Sequence, residues 1–218
     1  MKPSSPSKPL SKYEETISRV INDIADRKLR PNQRIIEKNV AEDLKISRTP
    51  VREAFRTLEL RGYLTKNSSR GYSVTDHTIE QIQESFESQE AIETMAIRLA
   101  CTRIDQKTIK QAEKYRDLIK EAIHRRDIVS CMEYNSQLHY LLCKASQNKT
   151  LLRFYEILMD KPFTKRVLRL FTNSELNKWA DEHDKLLEAV SKGNQNIAEK
   201  VVRRHYKTVF RVVSERTL

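Results

Sequence analysis

The sequence of 218 residues is poor in glycine and cysteine and has no long apolar run. Only 3 glycines occur, whereas helix formers such as leucine, lysine and glutamate are frequent, which favours helices over sheets. Cys101, Cys131 and Cys143 are odd in number and form no C-x-x-C pair, so we expect reduced thiols rather than disulfides or a cysteine-based zinc site. No segment approaches the ~20 apolar residues of a membrane helix, and residues 1–12 lack the apolar stretch of a signal peptide. A cytoplasmic protein without membrane contact is therefore predicted.

Basic residues outnumber acidic ones, with 41 Lys and Arg against 30 Asp and Glu and a net charge of +11. Positive charge is denser in residues 1–76, which hold 16 basic and 10 acidic side chains. A basic surface suits a polyanionic partner, but it also occurs in many other soluble proteins. The charge alone therefore does not identify a partner.

Hydrophobic periodicity divides the chain into a short tail and two domains. Residues 1–10 contain three prolines and few apolar side chains, and we expect them to form a disordered tail. Residues 11–76 contain three amphipathic segments, 11–27, 37–44 and 47–61, and then two alternating segments, 63–66 and 71–74, that indicate a hairpin. Two short helices joined by a tight turn and followed by a hairpin are typical of a winged helix-turn-helix.

Residues 77–218 show helical periodicity throughout. The candidate helices are 78–102, 105–125, 127–147, 149–160, 162–173, 174–192 and 194–216. The predicted fold class is therefore mainly α, with an N-terminal winged helix-turn-helix and a C-terminal, all-helical antiparallel bundle.

The start of the helix over 47–61 carries the groups that DNA recognition requires. In a helix-turn-helix the second helix lies in the major groove. Arg48 and Arg52 are four residues apart and share a face, and arginine can contact guanine O6 and N7 with two hydrogen bonds. Ser47 and Thr49 can donate to phosphates, and Arg70-Gly71 would bring a cation to the tip of the wing. A solvated basic surface on a purely structural three-helix unit is the alternative, so this pattern alone leaves DNA binding open.

A family resemblance favours DNA binding. The string Ser47-Arg48-Thr49-Pro50-Val51-Arg52-Glu53-Ala54, together with Val40-Ala41-Glu42-Asp43-Leu44 and Gly62-Tyr63-Leu64, closely resembles the winged helix-turn-helix of GntR-family bacterial regulators over about residues 14–76. The resemblance implies DNA contacts at Lys38, Ser47, Arg48, Thr49, Arg52 and Gly71. Lys38 stands where the family often has arginine, which removes any bidentate contact there.

Three histidines lie on the apolar faces of three long candidate helices. They are His139, with Asn135 one turn before it on the same face, His183 and His205. Burying three unpaired imidazoles would be costly. A shared divalent ion such as Zn²⁺ or Ni²⁺ would satisfy them, and Asn135 could add an oxygen ligand. A polar pocket held by hydrogen bonds is the alternative.

The second domain resembles the FCD-type, effector-binding bundle of the FadR subfamily, in its smaller, VanR-like branch. The matching residues are Asn135-Ser136-Gln137-Leu138-His139, Glu182-His183 with Gly193-Asn194, and His205. The resemblance implies that Asn135, His139, His183 and His205 bind a divalent metal, Zn²⁺ or alternatively Ni²⁺ or another ion, below a pocket for a small organic acid. Asn135 replaces the family's Asp, which removes one negative charge and should weaken metal binding. Leu138 replaces an aromatic residue.

Candidates for effector contacts are few. Gln89 stands four residues before Glu93, where the family often has an arginine four residues before the glutamate of its first long helix, and Arg166 and Arg169 lie on a candidate helix that could line the pocket. For both arginines the pattern favours a surface role over a pocket role.

These patterns predict a homodimeric transcription regulator, a repressor, that binds a palindromic operator in double-stranded DNA and responds to a small carboxylate. One alternative is a metal-dependent hydrolase built on the three histidines. No H-E-x-x-H motif is present, and Glu182 should point away from its neighbour His183, so we predict that the protein is not an enzyme. Another alternative is a non-specific nucleic-acid binder whose bundle serves only for dimerisation.

Overall fold

A computed structural model describes residues 10–67, 71–161 and 167–217. The chain divides into two compact units, Met1–Asp76 and His77–Leu218. Apart from the exposed Leu10, the predicted disordered tail lies outside the described residues.

The first unit is a winged helix-turn-helix. Its elements are α1 (Lys12–Ala25), β1 (Arg34–Ile35), α2 (Glu37–Leu44), α3 (Arg48–Leu60), β2 (Leu64–Asn67) and β3 (Gly71–Val74). The three strands form an antiparallel sheet in the order β1-β3-β2, in which Leu64 pairs with Val74. The alternating pattern predicted the β2-β3 hairpin but not β1, because two residues are too few to show an alternation.

Local signals explain where these helices begin and end. Ser11 and Glu14 form a capping box at the start of α1. The Ser11 hydroxyl oxygen accepts from the Glu14 backbone N–H, and the Glu14 carboxylate accepts from the Ser11 backbone N–H and hydroxyl. Lys45 adopts a left-handed conformation in the tight turn between α2 and α3. Gly62, at φ 82°, follows α3 and turns the chain into β2. The side chains of Val51, Phe55 and other residues of α3 are fully buried, so this helix is held firmly against the domain core.

The second unit is a helical bundle. Its elements are α4 (Ile79–Arg103), α5 (Gln106–His124), α6 (Ile128–Ala145), α7 (Lys149–Met159), a single 3₁₀ turn (Val167–Leu170), α8 (Asn173–Ser191) and α9 (Gln195–Thr217). The prediction of a mainly α fold is confirmed. The prediction of a continuous helix over 162–173 is wrong in its described part, because only the 3₁₀ turn is helical and Thr172 caps the start of α8. Residues 162–166 of that segment lie outside the described residues.

Helix α4 lies beside the helices that carry the predicted metal-binding histidines. It packs against α6, α8 and α9, which are the helices that carry the three histidines of the predicted metal site. A side chain on the inner face of α4 can therefore reach all three. Within the described ranges, none of the helices has the length and apolar character needed to cross a membrane.

Candidate nucleic-acid interface and metal centre

The N-terminal turn of α3 presents its polar side chains to solvent. Ser47 occupies the N-cap position, but its side chain makes no capping hydrogen bond. Ser47, Arg48, Thr49 and Arg52 are all exposed. Because the opposite face of α3 is buried in the core, this exposed edge is available to a partner outside the domain.

Glu37, at the start of α2, forms ion pairs with both Arg48 and Arg52. Its Oε2 atom lies 3.4 Å from Arg52 Nε and 3.8 Å from Arg48 Nη2. The role of Glu37 was not predicted from the sequence, because the contact joins two different helices. Exposed ion pairs of this kind contribute little stability, so DNA could displace Glu37 at small cost.

The other residues predicted to contact DNA fall in different settings. Lys38 is exposed, and its Nζ lies 3.7 Å from Glu42 Oε1 one turn further along α2. Gly71 begins β3 with φ 93°, and a Cβ there would come no closer than 3.8 Å to the Ile35 carbonyl oxygen. Backbone conformation rather than lack of space therefore favours glycine at this position. Arg70 lies outside the described residues.

The three predicted histidines meet inside the second unit. His139 on α6, His183 on α8 and His205 on α9 are 4%, 1% and 7% exposed. One nitrogen from each ring can be chosen so that all three lie within 4.8 Å of one another. The Nε2 atoms of His139 and His183 are 3.2 Å apart. Two nitrogens bound to one zinc ion at 2.0–2.1 Å in a tetrahedral site are roughly 3.3 Å apart, so the spacing of this pair fits a shared ion.

A buried carboxylate orients His139. Glu93, on the inner face of α4, accepts a hydrogen bond from His139 Nδ1 and another, of 2.6 Å, from the Tyr206 hydroxyl. Burial by itself raises the pKa of Glu93, but His139 and Tyr206 outweigh it, and the net pKa lies below the ordinary value. Burial and Glu93 together raise the pKa of Tyr206, which therefore remains a donor.

A second carboxylate orients His205. Glu182 Oε2 lies 3.1 Å from His205 Nδ1, and Glu182 Oε1 accepts from Arg204 Nε at 3.1 Å. A carboxylate that accepts a hydrogen bond from one ring nitrogen of a histidine fixes the orientation and the tautomer of the ring. This arrangement is characteristic of metal-binding histidines, which bind the ion through the other nitrogen. Glu182 thus joins the histidine cluster through His205 on the next helix rather than through its sequence neighbour His183.

The pKa values of His183 and His205 are lowered, which favours the neutral form that binds metal ions. Burial, followed by the proximity of His205 and His139, lowers the pKa of His183 well below its ordinary value. Burial also lowers the pKa of His205, although Glu182 partly offsets this effect. A neutral imidazole keeps the lone pair that a metal ion needs, so these residues could hold a divalent ion.

Asn135 lies on α6 one turn before His139. Its Oδ1 atom is buried and has no hydrogen-bond partner among the described residues. Buried acceptors are rarely left without a partner. An oxygen in need of a partner, on the helix face that carries His139, fits the ligand role predicted for Asn135.

The candidate effector contacts are less uniform. Gln89 is buried, and its amide donates to the Leu158 carbonyl oxygen at 3.0 Å and to Ser85 Oγ at 3.3 Å, so it joins α4 to the end of α7. Arg169 is exposed on the 3₁₀ turn, and Arg166 lies outside the described residues. Tyr155 was not predicted from the sequence, and its buried hydroxyl has no hydrogen-bond partner among the described residues.

Glu93 is the most important residue whose role was not predicted from the sequence. A signal for it was present, because Glu93 lies seven residues after Phe86 and four before Ile97, on the buried stripe of α4. A carboxylate on an apolar stripe requires a buried partner. Its partner could not be named, because His139 is 46 residues away in the sequence.

A winged helix-turn-helix with exposed arginines, together with a helical domain that encloses a polar centre, defines the class of DNA-binding regulators with an effector domain. The family model described as "Bacterial regulatory proteins, gntR family" matches residues 12–74, and the FCD domain model matches residues 84–208. The chain therefore belongs to the gntR family of DNA-binding transcription regulators and carries an FCD effector-binding domain.

Relatives agree with this assignment. The chain is 27% identical over 200 residues to YdhC of Bacillus subtilis, an uncharacterized HTH-type transcriptional regulator, and the match covers 91% of this chain and 89% of YdhC. It is 23% identical over 187 residues to the Exu regulon transcriptional regulator of Escherichia coli K12, covering 78% and 71% of the two chains. The fold is similar to that of McbR/YncC of E. coli, with a TM-score of 0.80, 18% identity and coverage of 96% and 100%.

These families and relatives are transcription regulators and not enzymes. The prediction that the protein is not an enzyme is therefore confirmed, and the hydrolase alternative is not supported. The three histidines require an explanation within a regulator.

Proposed function

We propose that this protein is a homodimeric repressor whose affinity for a palindromic operator is modulated by a small organic acid bound at a metal ion in the second unit. One observation carries the ligand-dependent part: three buried imidazoles on three different helices converge, and two of them are backed by carboxylates. A purely structural core has no need for such an arrangement, because apolar residues of similar volume would be at least as stabilising.

The DNA-binding role rests on α3 and the wing. In a two-fold dimer, two copies of α3 would meet two half-sites of a palindrome. Arg48 and Arg52 would contact bases, whereas Lys38, Ser47 and Thr49 would contact the backbone. Arg70 and Gly71 would bring the wing tip against the DNA.

The ligand-binding role rests on the histidine cluster. His139, His183 and His205 would hold a divalent ion, Zn²⁺ or alternatively Ni²⁺, with Asn135 as an oxygen ligand. The bound ion would supply an attachment point for a carboxylate. Glu93 and Glu182 would keep two of the rings oriented, and the surrounding apolar core would exclude water. Gln89, Arg166 and Arg169 are the sequence-derived candidates for effector contacts, and the Tyr155 hydroxyl is a further one.

Modulation requires a difference in affinity. An effector changes operator binding only if it binds more tightly to one arrangement of the dimer than to the other, and the coupling acts equally in both directions. An acid that lowers operator affinity must therefore itself bind less tightly when the operator is present.

The test of the operator is a selection from genomic DNA. Purified full-length protein is mixed at near-physiological salt with sheared DNA of the source organism, and recovered fragments are sequenced. Enrichment of a few palindromic sites supports the proposal. Uniform recovery would favour non-specific binding, and no recovery with or without Zn²⁺ would contradict DNA binding at these conditions. Repeating the selection with candidate acids, with and without a chelator, tests whether release requires the metal.

Glu93, whose carboxylate holds His139 in place without itself being a proposed ligand, offers a more specific test of the metal site. Replacing Glu93 by glutamine keeps its shape but removes the charge that orients His139, and we expect zinc affinity to fall by about 10- to 100-fold. Competition with a coloured chelator on the metal-stripped protein measures this. Glu90→Gln is the matched control, because Glu90 lies on the same helix but pairs with Arg203 at the surface. Equal zinc affinity in both variants would argue against the role of Glu93.

A further inference from the structure

The side chain of Trp179 makes an unusual contact with the histidine cluster. Trp179 lies on α8 one turn before His183, is 1% exposed, and packs edge-on against the His183 ring with centroids 4.6 Å apart. Its indole Nε1 lies 3.1 Å from His205 Nε2. It is the single tryptophan of the chain.

The hydrogen bond from Trp179 determines which nitrogen of His205 carries the proton. An indole N–H can only donate, so His205 Nε2 must be the acceptor and carries no proton. The proton of the neutral ring is then on Nδ1, where it is donated to Glu182. Both nitrogens of His205 are therefore already engaged, one by Glu182 and the other by Trp179.

A metal ion would need the same lone pair that Trp179 uses. An imidazole nitrogen has one lone pair, which lies in the plane of the ring, and it cannot serve an N–H donor and a metal ion together. Rotating the ring to offer Nδ1 would break the contact with Glu182 instead. His139 differs, because its Nε2 faces another imidazole rather than a permanent donor.

We propose that Trp179 guards the metal site: its indole N–H occupies His205 Nε2 and must be displaced before His205 can bind a metal ion. This inference rests on the proposed metal site. Displacement leaves a buried donor without its acceptor, which has a cost in free energy. The guard therefore lowers affinity for every ion by the same factor, so that at a given concentration only ions that bind imidazole strongly, such as Zn²⁺, Ni²⁺ and Cu²⁺, still occupy the site.

The first test compares metal affinities. Trp179→Phe keeps an aromatic ring but removes the N–H, and we expect zinc to bind about 10-fold more tightly than to the wild type. Phe171→Leu is the matched control, because Phe171 packs against the Trp179 ring and is not part of the proposed site. This control should bind zinc as the wild type does. Circular dichroism establishes that each variant is folded.

The second test needs no variant. Because the chain has one tryptophan, the protein labelled with ¹⁵N-tryptophan gives one indole N–H resonance per protomer. Addition of Zn²⁺ should move this resonance upfield, as expected when the hydrogen bond to His205 is lost. An indole resonance that stays in place at saturating Zn²⁺ would overturn the guard.

The outcomes separate the guard from the metal site itself. Zinc binding by the wild type with equal or weaker binding by Trp179→Phe overturns the guard but retains the site. Binding by the variant alone supports the guard in a strong form. The absence of zinc binding in both folded proteins overturns the guard and the proposed metal site together.

Discussion

Replacing Arg48 and Arg52 together by alanine is expected to weaken operator binding by about 30-fold or more, because each arginine that contacts a guanine contributes about 1–3 kcal/mol. Both side chains are exposed and lie on the turn of α3 that is predicted to enter the major groove. Neither packs in the core, so the thermal stability of the variant should change little. Fluorescence anisotropy with a labelled operator fragment measures the affinity.

The control must remove positive charge without removing a base contact. Arg19→Ala serves this purpose, because Arg19 is an exposed arginine of α1 that pairs with Asp23 in the same domain. It should shift operator affinity only slightly. Measurements over a range of salt concentrations distinguish the contributions, because a lost phosphate contact lowers the salt dependence whereas a lost base contact lowers the preference for operator over random DNA. A double variant that retains this preference would refute base recognition by the two arginines.

Replacing His183 by glutamine is expected to lower zinc affinity by at least about 100-fold. This is more than the effect of losing Glu93, which only holds a proposed ligand in place. His183 is the most deeply buried of the three histidines, and its Nε2 faces His139 Nε2. Glutamine retains a hydrogen-bonding group of similar length, which limits the loss of folding stability. The measurement is zinc competition, combined with thermal unfolding of the metal-stripped protein.

The opposite change at Asn135 completes this test. Asn135→Asp adds a negative charge one turn from His139, and we expect zinc affinity to rise because a carboxylate is a stronger ligand than an amide oxygen. If His183→Gln and Asn135→Asp both bind zinc as the wild type does, the histidines form a hydrogen-bonded polar pocket instead. Operator release by an acid should then be insensitive to chelators.

Much of this architecture could be predicted because its signals are local. Amphipathic stripes, capping residues such as Ser11 and Thr78, and Gly62 after α3 determine where helices begin and end. The spacing of Arg48 and Arg52 places them on one face of a helix whatever surrounds it. The segment 162–173 was the exception, because its apolar residues suit a long helix whereas Thr172 and Glu175 form a capping box that starts a new one.

Periodicity assigned the three histidines to inner faces, but it could not identify their partners. Glu93 is 46 residues before His139, and Glu182 adjoins His183 yet contacts His205 on the next helix. Trp179 contacts the same His205 from 26 residues away. Hydrogen bonds act over about 3 Å, so their pairing depends on how the helices are placed against one another. The sequence by itself determined which side chains are buried, and only the tertiary structure decided which nitrogen faces a carboxylate, another imidazole or the indole of Trp179.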